Sequence, residues 1–257
     1  MQNVLEYITS LNLKAPAAAI SRSTFRDGEK SVINTPNFNN TRDQLFVADK
    51  STLSFVSGVT EQNREDVLQS TLLAQLAANK QFPDTVGSMD WCSVFANVLS
   101  HTGWVVEGSG VSSYKMKGNI FSVNLAILEV MVSAFGQNYL SIIKSTIESI
   151  GKLSDKDNRV QVFEKNTHSL SKGFFQIGLV SQDNDAVSLQ IGAFFLNSSD
   201  KIGNILFFKS SNQNSSMDYF SRKATLSPDM YKNIRQAVSA KLGTAIGKFV
   251  DEIEIAV

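Results

Sequence analysis

The chain has 257 residues, 42% of them hydrophobic, and its 24 basic and 24 acidic side chains cancel to a formal net charge of zero. That length buries a sizeable core in one domain or two. The balance of charge excludes a protein held on nucleic acid by phosphate contacts, which would carry a basic excess or a Lys/Arg stripe.

Ser, Asn, Gln and Thr stand where charge is usual, and a neutral surface lacks the self-repulsion that opposes association. The single cysteine, Cys92, forbids an intramolecular disulfide and fits a reducing compartment. The first twenty residues lack the basic start and continuous apolar core of a signal peptide. No uncharged apolar run reaches the ~18 residues of a membrane span. These features predict a protein that is cytoplasmic when made, then released or stored in an inclusion. The sequons at Asn39, Asn197 and Asn214 read as chance in an Asn/Ser-rich chain.

Val4 to Leu13 reads as a short amphipathic helix stopped before Pro16. Ser21 to Asn40 is polar and punctuated, with Asp27-Gly28 as a turn signal. Leu45–Val47 and Leu53–Val56 read as a pair of short strands. Beyond Thr60 the text becomes helical, with Glu61, Glu65 and Asp66 opposing the positive dipole end and Pro83 forbidding continuation. Ser88 caps a second helix whose stripe, Trp91, Val94, Phe95, Val98 and Leu99, follows the i, i+3, i+4, i+7, i+8 rule. Gly103 suits its left-handed C-terminal residue. Strands follow at Trp104–Val106 and around Tyr114.

Phe121 to Phe135 is the most apolar stretch, with Glu129 its only charge. Ser122 and Gly136 read as its cap and terminator, and Gln137 to Leu153 as a partner helix. A helix apolar nearly all round is buried in protein or in lipid. Phe121, Leu125, Leu128, Val132, Phe135, Leu140, Ile143 and Ile147 therefore mark a helix pair that is either core or membrane-active. Val160 to Phe163 alternates like a strand, with a short helix as the alternative.

From Lys172 to Lys209 three runs of period-two alternation are separated by Asp183-Asn184-Asp185 and Ser198-Ser199-Asp200. The pairs Phe174-Phe175, Phe194-Phe195 and Phe207-Phe208 put a ring on both faces of each strand, so a second layer must cover the outer side. Tyr219 to Leu226 reads as a fourth, returning strand. Ser227-Pro228-Asp229 opens a last helix striped by Ile234, Val238, Leu242, Ile246 and Phe249. The expected architecture is one α/β domain over 1–257, an antiparallel sheet covered by α-helices, with 1–60 its less regular part.

Convergent chemistry is hard to find. His101 and His168 have no metal-spaced partner, and the chain carries no nucleophile elbow, Walker loop or dinucleotide fingerprint. No catalytic residue, cofactor site or metal site is predicted. Cys92, beside Trp91 on the edge of its helix's stripe, reads either as a small buried hydrophobe or as a thiol for lipid attachment or an intermolecular disulfide.

The order from Phe121 onward resembles the α/β layout of the Cyt family of bacterial cytolytic toxins, through two apolar helices, a long meander ending in NILFFK at Asn204–Lys209, and a Ser-Pro-capped helix. The whole chain, with DWCSVFANVLSHTGWVVE at Asp90–Glu107, is also similar to bacterial and fungal proteins of the Erwinia virulence-factor type and to the crystal-forming octin type. The virulence-factor likeness implies an acylated cysteine in that family, but no match places it at Cys92. Two functions are implied, with an unrecognised enzyme a distant third. One is a non-enzymatic, membrane-interacting virulence factor or cytolysin whose helix layer peels from the sheet into lipid. The other is a self-assembling inclusion or storage protein, a homo-oligomer.

Overall fold

The computed structural model describes residues 2–16, 18–19, 36–83, 87–108, 110–115, 119–153, 157–212, 214–253 and 255. The Asp27-Gly28 turn and most of the polar N-terminal stretch lie outside them. The strands are β1 (Gln44–Ala48), β2 (Ser51–Phe55), β3 (Trp104–Gly108), β4 (Ser112–Tyr114), β5 (Phe121–Ser122), β6 (Lys172–Asp183), β7 (Ala186–Asn197), β8 (Lys209–Ser210), β9 (Ser216–Leu226) and β10 (Val250–Ile253). Eight of them form one sheet in the order β10-β1-β2-β6-β7-β9-β3, with β4 also on β9, and β5 pairs separately with β8. Every pairing is antiparallel except β2 with β6. The fold is therefore a mixed α/β one, a mostly antiparallel sheet between helix layers. The segment expected to be least regular supplies β1 and β2, inside the sheet.

The aromatic doublets do what their alternation demands. Phe174 and Phe195 lie opposite each other on one face, ring centroids 4.9 Å apart, and Phe175 and Phe194 stack at 5.2 Å on the other. Each face carries its own apolar core. Over the Phe174 face lie α1 (Gln2–Ser10), α2 (Glu61–Gln81), α3 (Met89–His101) and α8 (Arg235–Leu242); over the Phe175 face lie α4 (Val123–Phe135), α5 (Leu140–Lys152) and α6 (Asn158–Thr167). The second cover foreseen from the rings is present.

The helix buried on all sides is α2, not α4. Its apolar residues are joined in the interior by Gln69, Ser70, Thr71, Gln75 and Asn79. Those polar groups are tolerated because most are bonded. Gln75 Nε2 donates to Ala48 O at 3.1 Å, Asn79 Nδ2 to Asp49 Oδ2 at 3.0 Å, Trp91 Nε1 to Asn79 Oδ1 at 2.9 Å and Trp104 Nε1 to Ser70 Oγ at 3.1 Å. Both ends of the α2–α3 corner were readable. Thr60 Oγ1 accepts from Asn63 N, Ser88 Oγ accepts from Trp91 N, and Gly103 has φ +91°.

Four elements differ from expectation. Val160–Phe163 lies in α6, a helix capped by Asp157, whose side chain accepts from Arg159 N; four alternating residues were too few to fix the period. The run Ile202–Phe208 is no strand but a buried wedge. Glu164 Oε2 accepts from Ile205 N at 3.0 Å, Asn204 Oδ1 from Phe207 N at 3.2 Å and Leu170 O from Ile202 N at 2.9 Å. The meander's third strand is instead β9, paired along β7. The last helix breaks into α7 (Pro228–Tyr231), α8 and α9 (Ala245–Phe249), with Gly243 at φ +52°, and the chain then returns as β10.

His168 latches the wedge. Its Nε2 lies 2.7 Å from Glu164 Oε2, the same oxygen that accepts Ile205 N, and its Nδ1 lies 3.0 Å from Ser169 O. Burial pushes the imidazole pKa down, but the Glu164 carboxylate and the Ser169 carbonyl outweigh it and leave the pKa raised. A raised folded pKa gives stabilisation that is whole below the unfolded value of about 6.5 and is lost as pH rises through the folded value. The expected result is that His168→Gln lowers the melting temperature more at about pH 6 than at about pH 8.5. An equal loss at both would show that the neutral ring suffices.

Candidate functional site

Both histidines are engaged in local contacts. His101 Nδ1 lies 2.8 Å from Asn97 O near the end of α3, and its ring stacks on Tyr7 with centroids 4.4 Å apart. Among the described residues no group of three or more His, Cys, Asp or Glu could hold a metal ion. Cys92 is fully buried in the core on the Phe174 face. Burial pushes its thiol well up, so it stays protonated. It is a packed hydrophobe, and in the folded protein it presents no surface for an acyl chain or a second thiol.

The helix pair is the distinctive surface. Phe121 stands apart from it, buried in β5 against Phe208. Helix α4 turns Val123, Ala126, Ile127, Val130 and Met131 to the sheet. Met131 can come close because β7 offers Gly192 there: a Cβ would stand 2.8 Å from Met131 Sδ. The opposite side of α4 is mixed, with Leu125 and Ala134 exposed beside Glu129 and Ser133. Leu125 is 57% exposed, while Leu128, Val132 and Phe135 are half-buried. The expected all-round burial is thus replaced by an apolar helix with one face in the core and one facing out.

Glu129, the one charge between Lys117 and Lys144, accepts a hydrogen bond from the Tyr114 hydroxyl at 3.1 Å. Burial, then the Glu129 hydrogen bond and charge, push that phenol up to about 12. Helix α5 is conventional, with Ile142, Ile143, Ile147 and Ile150 buried, Lys144, Glu148 and Lys152 outward, and Leu140 at the rim, 37% exposed. Inside its contact with the sheet lies one hydroxyl pair, Ser54 Oγ and Thr146 Oγ1 at 2.5 Å, both residues buried. The two helices turn at Gly136, φ +88°. No described helix is long and apolar enough to cross a membrane. Sequence reasoning found both helices and missed which side of α4 is buried; an apolar residue at every helical angle gives no such signal.

The cover is incomplete. Beyond the apolar half of this face, β7, β9 and β3 carry Ser188, Gln190, Lys223, Thr225 and Glu107, which are half-buried or exposed. Ser188 Oγ and Gln190 Oε1 lack a hydrogen-bond partner.

No family model matches the chain, and no curated protein matches it. Solved structures do show likeness. A delta-endotoxin aligns over 82% of this chain and 91% of its own at 10% identity and a TM-score of 0.42. The Evf virulence factor aligns over 94% and 90% at 9% identity and a TM-score of 0.43. Activated Cyt2Ba from Bacillus thuringiensis subsp. israelensis aligns over 58% and 88% at 14% identity and a TM-score of 0.31. The toxin and virulence-factor types that the sequence resembles thus recur among the structural neighbours.

Proposed function

We propose that the protein acts on lipid surfaces without catalysing a reaction, by releasing the α4–α5 layer from the sheet. The apolar residues on the outer side of α4 carry this reading. A surface helix in water is ordinarily amphipathic. Here Leu125 stands 57% exposed, with Leu128, Val132 and Phe135 only half-buried, on a helix with a single carboxylate. Opening in water would strip cover from Phe175, Ile177, Leu179 and Phe194 and from the inner face of α4, at about 25 cal/mol per Å2. Lipid removes that cost by taking up the exposed surfaces. The 13 residues of α4 span about 20 Å, short of the roughly 30 Å hydrocarbon core. The helix would therefore lie in the interface.

The test is dye release from phosphatidylcholine vesicles by the purified protein and by a Leu125→Glu variant. Release by the wild type that falls at least tenfold in the variant, with an unchanged melting temperature, supports the reading. Absence of release across lipid compositions and pH would sink it.

Self-assembly is the second reading. It is favoured by the uncovered polar half of the sheet, where the half-buried or exposed Gln190, Lys223, Thr225 and Glu107 suit a second neutral surface. Sedimentation of the purified protein as particles, dispersed by Gln190→Lys, would support it.

A further inference from the structure

The two edges of the sheet are finished differently. At one end β10 is blunted. Arg159 is held by Asp157, Nε to Oδ1 at 2.9 Å and Nη2 to Oδ2 at 2.6 Å, and its Nη1 donates to Glu252 O at 2.6 Å. Asp251 and Glu252 add charge to that strand. At the other end β3 pairs with β9 alone among the described strands, and no described group bonds its backbone on the far side. The register is unbroken from Trp104 to Gly108, so no bulge twists this edge away, and the strand holds neither Lys nor Pro. Val105 stands 64% exposed, and Glu107 and Gly108 are exposed with it. A flat edge with a free row of N–H and C=O groups is a template for one more strand, and native sheets ordinarily block it.

The residues beside the edge say which strand fits. Val105 lies next to Thr225 and Glu107 next to Lys223, on the uncovered side of the sheet. Pair β3 antiparallel with a second β3, Val106 opposite its own copy, and Val105 falls opposite the copy's Glu107. Each exposed row then reads Lys223, Glu107, the copy's Val105 and the copy's Thr225. Every acid keeps its basic neighbour and meets an apolar one across the seam, so no like charges oppose each other. On the Phe174 side Trp104 falls opposite the copy's Gly108, which has no side chain to crowd it. A formal charge of zero adds no long-range repulsion between copies.

We propose that β3 is the seam of a two-fold dimer, in which the sheets of two copies join edge to edge through antiparallel β3 strands. This rests on the premise of the self-assembly reading, that copies associate, and names their first contact. Because β10 is blocked, joining at β3 closes the sheet at two copies instead of extending a filament. Five residues a side make a small interface, so the pair forms and parts with concentration.

Sedimentation velocity of the full chain from about 1 µM to about 1 mM, the span of weak association, tests this. The wild type should shift from monomer to dimer. Val105→Glu sets a carboxylate against the copy's Glu107 and should weaken the dimer at least tenfold. Val105→Lys meets that carboxylate with a cation and should not weaken it. Both variants should melt with the wild type, since position 105 faces water. Amide exchange along β3 should slow as the dimer forms, while β10 stays unchanged. A dimer of this kind that never sediments as particles would support the seam and tell against the inclusion reading. A wild type that stays monomeric throughout would overturn both. Association that Val105→Glu leaves intact, that both variants weaken equally, or that does not slow exchange along β3 would overturn the seam alone and leave assembly to the polar face of the sheet.

Discussion

A disulfide between positions 54 and 146 is expected to abolish vesicle dye release, and reductant is expected to restore it. Ser54 on β2 and Thr146 on α5 bring their hydroxyl oxygens to 2.5 Å in the buried contact between helix layer and sheet. Replacing both by cysteine puts two sulfurs where the geometry of a bridge is nearly met. Cys92 lies in the other core and does not compete. The oxidised Ser54→Cys/Thr146→Cys protein keeps its surface, including Leu125 and Leu128, so it still meets the membrane. What it loses is separation. Release should fall to the level of vesicles alone when oxidised and return on reduction, while the locked protein still co-sediments with vesicles. Undiminished release from the oxidised protein would mean that the layer never leaves the sheet, and docking alone would have to disturb the bilayer.

Arg64→Met should lower the free energy of unfolding by about 3–5 kcal/mol. Arg64 is fully buried near the start of α2. Its Nε donates to Val59 O at 2.9 Å, Nη1 to Gln44 Oε1 at 3.2 Å, and Nη2 to Arg42 O at 3.1 Å and Val56 O at 2.9 Å. The guanidinium also sits 5.5 Å over the Phe55 ring. Burial pushes its pKa down to about 10, which still leaves it charged at neutral pH. Methionine keeps much of the volume and abandons four acceptors in the interior. The expected readout is a lower urea midpoint at unchanged slope. A change below about 1 kcal/mol would show that water takes over those acceptors at little cost.

The features legible in the sequence are those where one residue type meets one local demand. Ser88, Gly103 and the alternating phenylalanines are of that kind, and from them follow a helix start, a helix stop and a sheet with both faces covered. Burial without periodicity was not legible. Ile205, Leu206 and Phe208 are buried as a strand's residues would be, yet the Ile205 N–H is taken by Glu164, from a helix 41 residues earlier. The inward side of α4 could not be read because apolar residues occupy both sides. Helix α2 hid its burial behind polar residues such as Gln75 and Asn79, whose partners lie outside the helix. The candidate surface was found as a segment, its exposed side was not, and nothing in the run Trp104–Val106 told that its strand lies at the sheet's edge.

The place of β10 has a consequence for how the protein is made. Val250–Ile253 pairs with Ala48–Leu45, so strands from opposite ends of the chain lie side by side. On a ribosome β1 emerges long before β10, and β2 must likewise wait for β6, its parallel neighbour. The β1 edge cannot be covered until β10 is made, and such distant pairings are the slow ones to form. In that interval the Leu45–Ala48 edge stands open to other nascent chains. Among the described strands, the edge of β1 is therefore sealed only after β10 has been made.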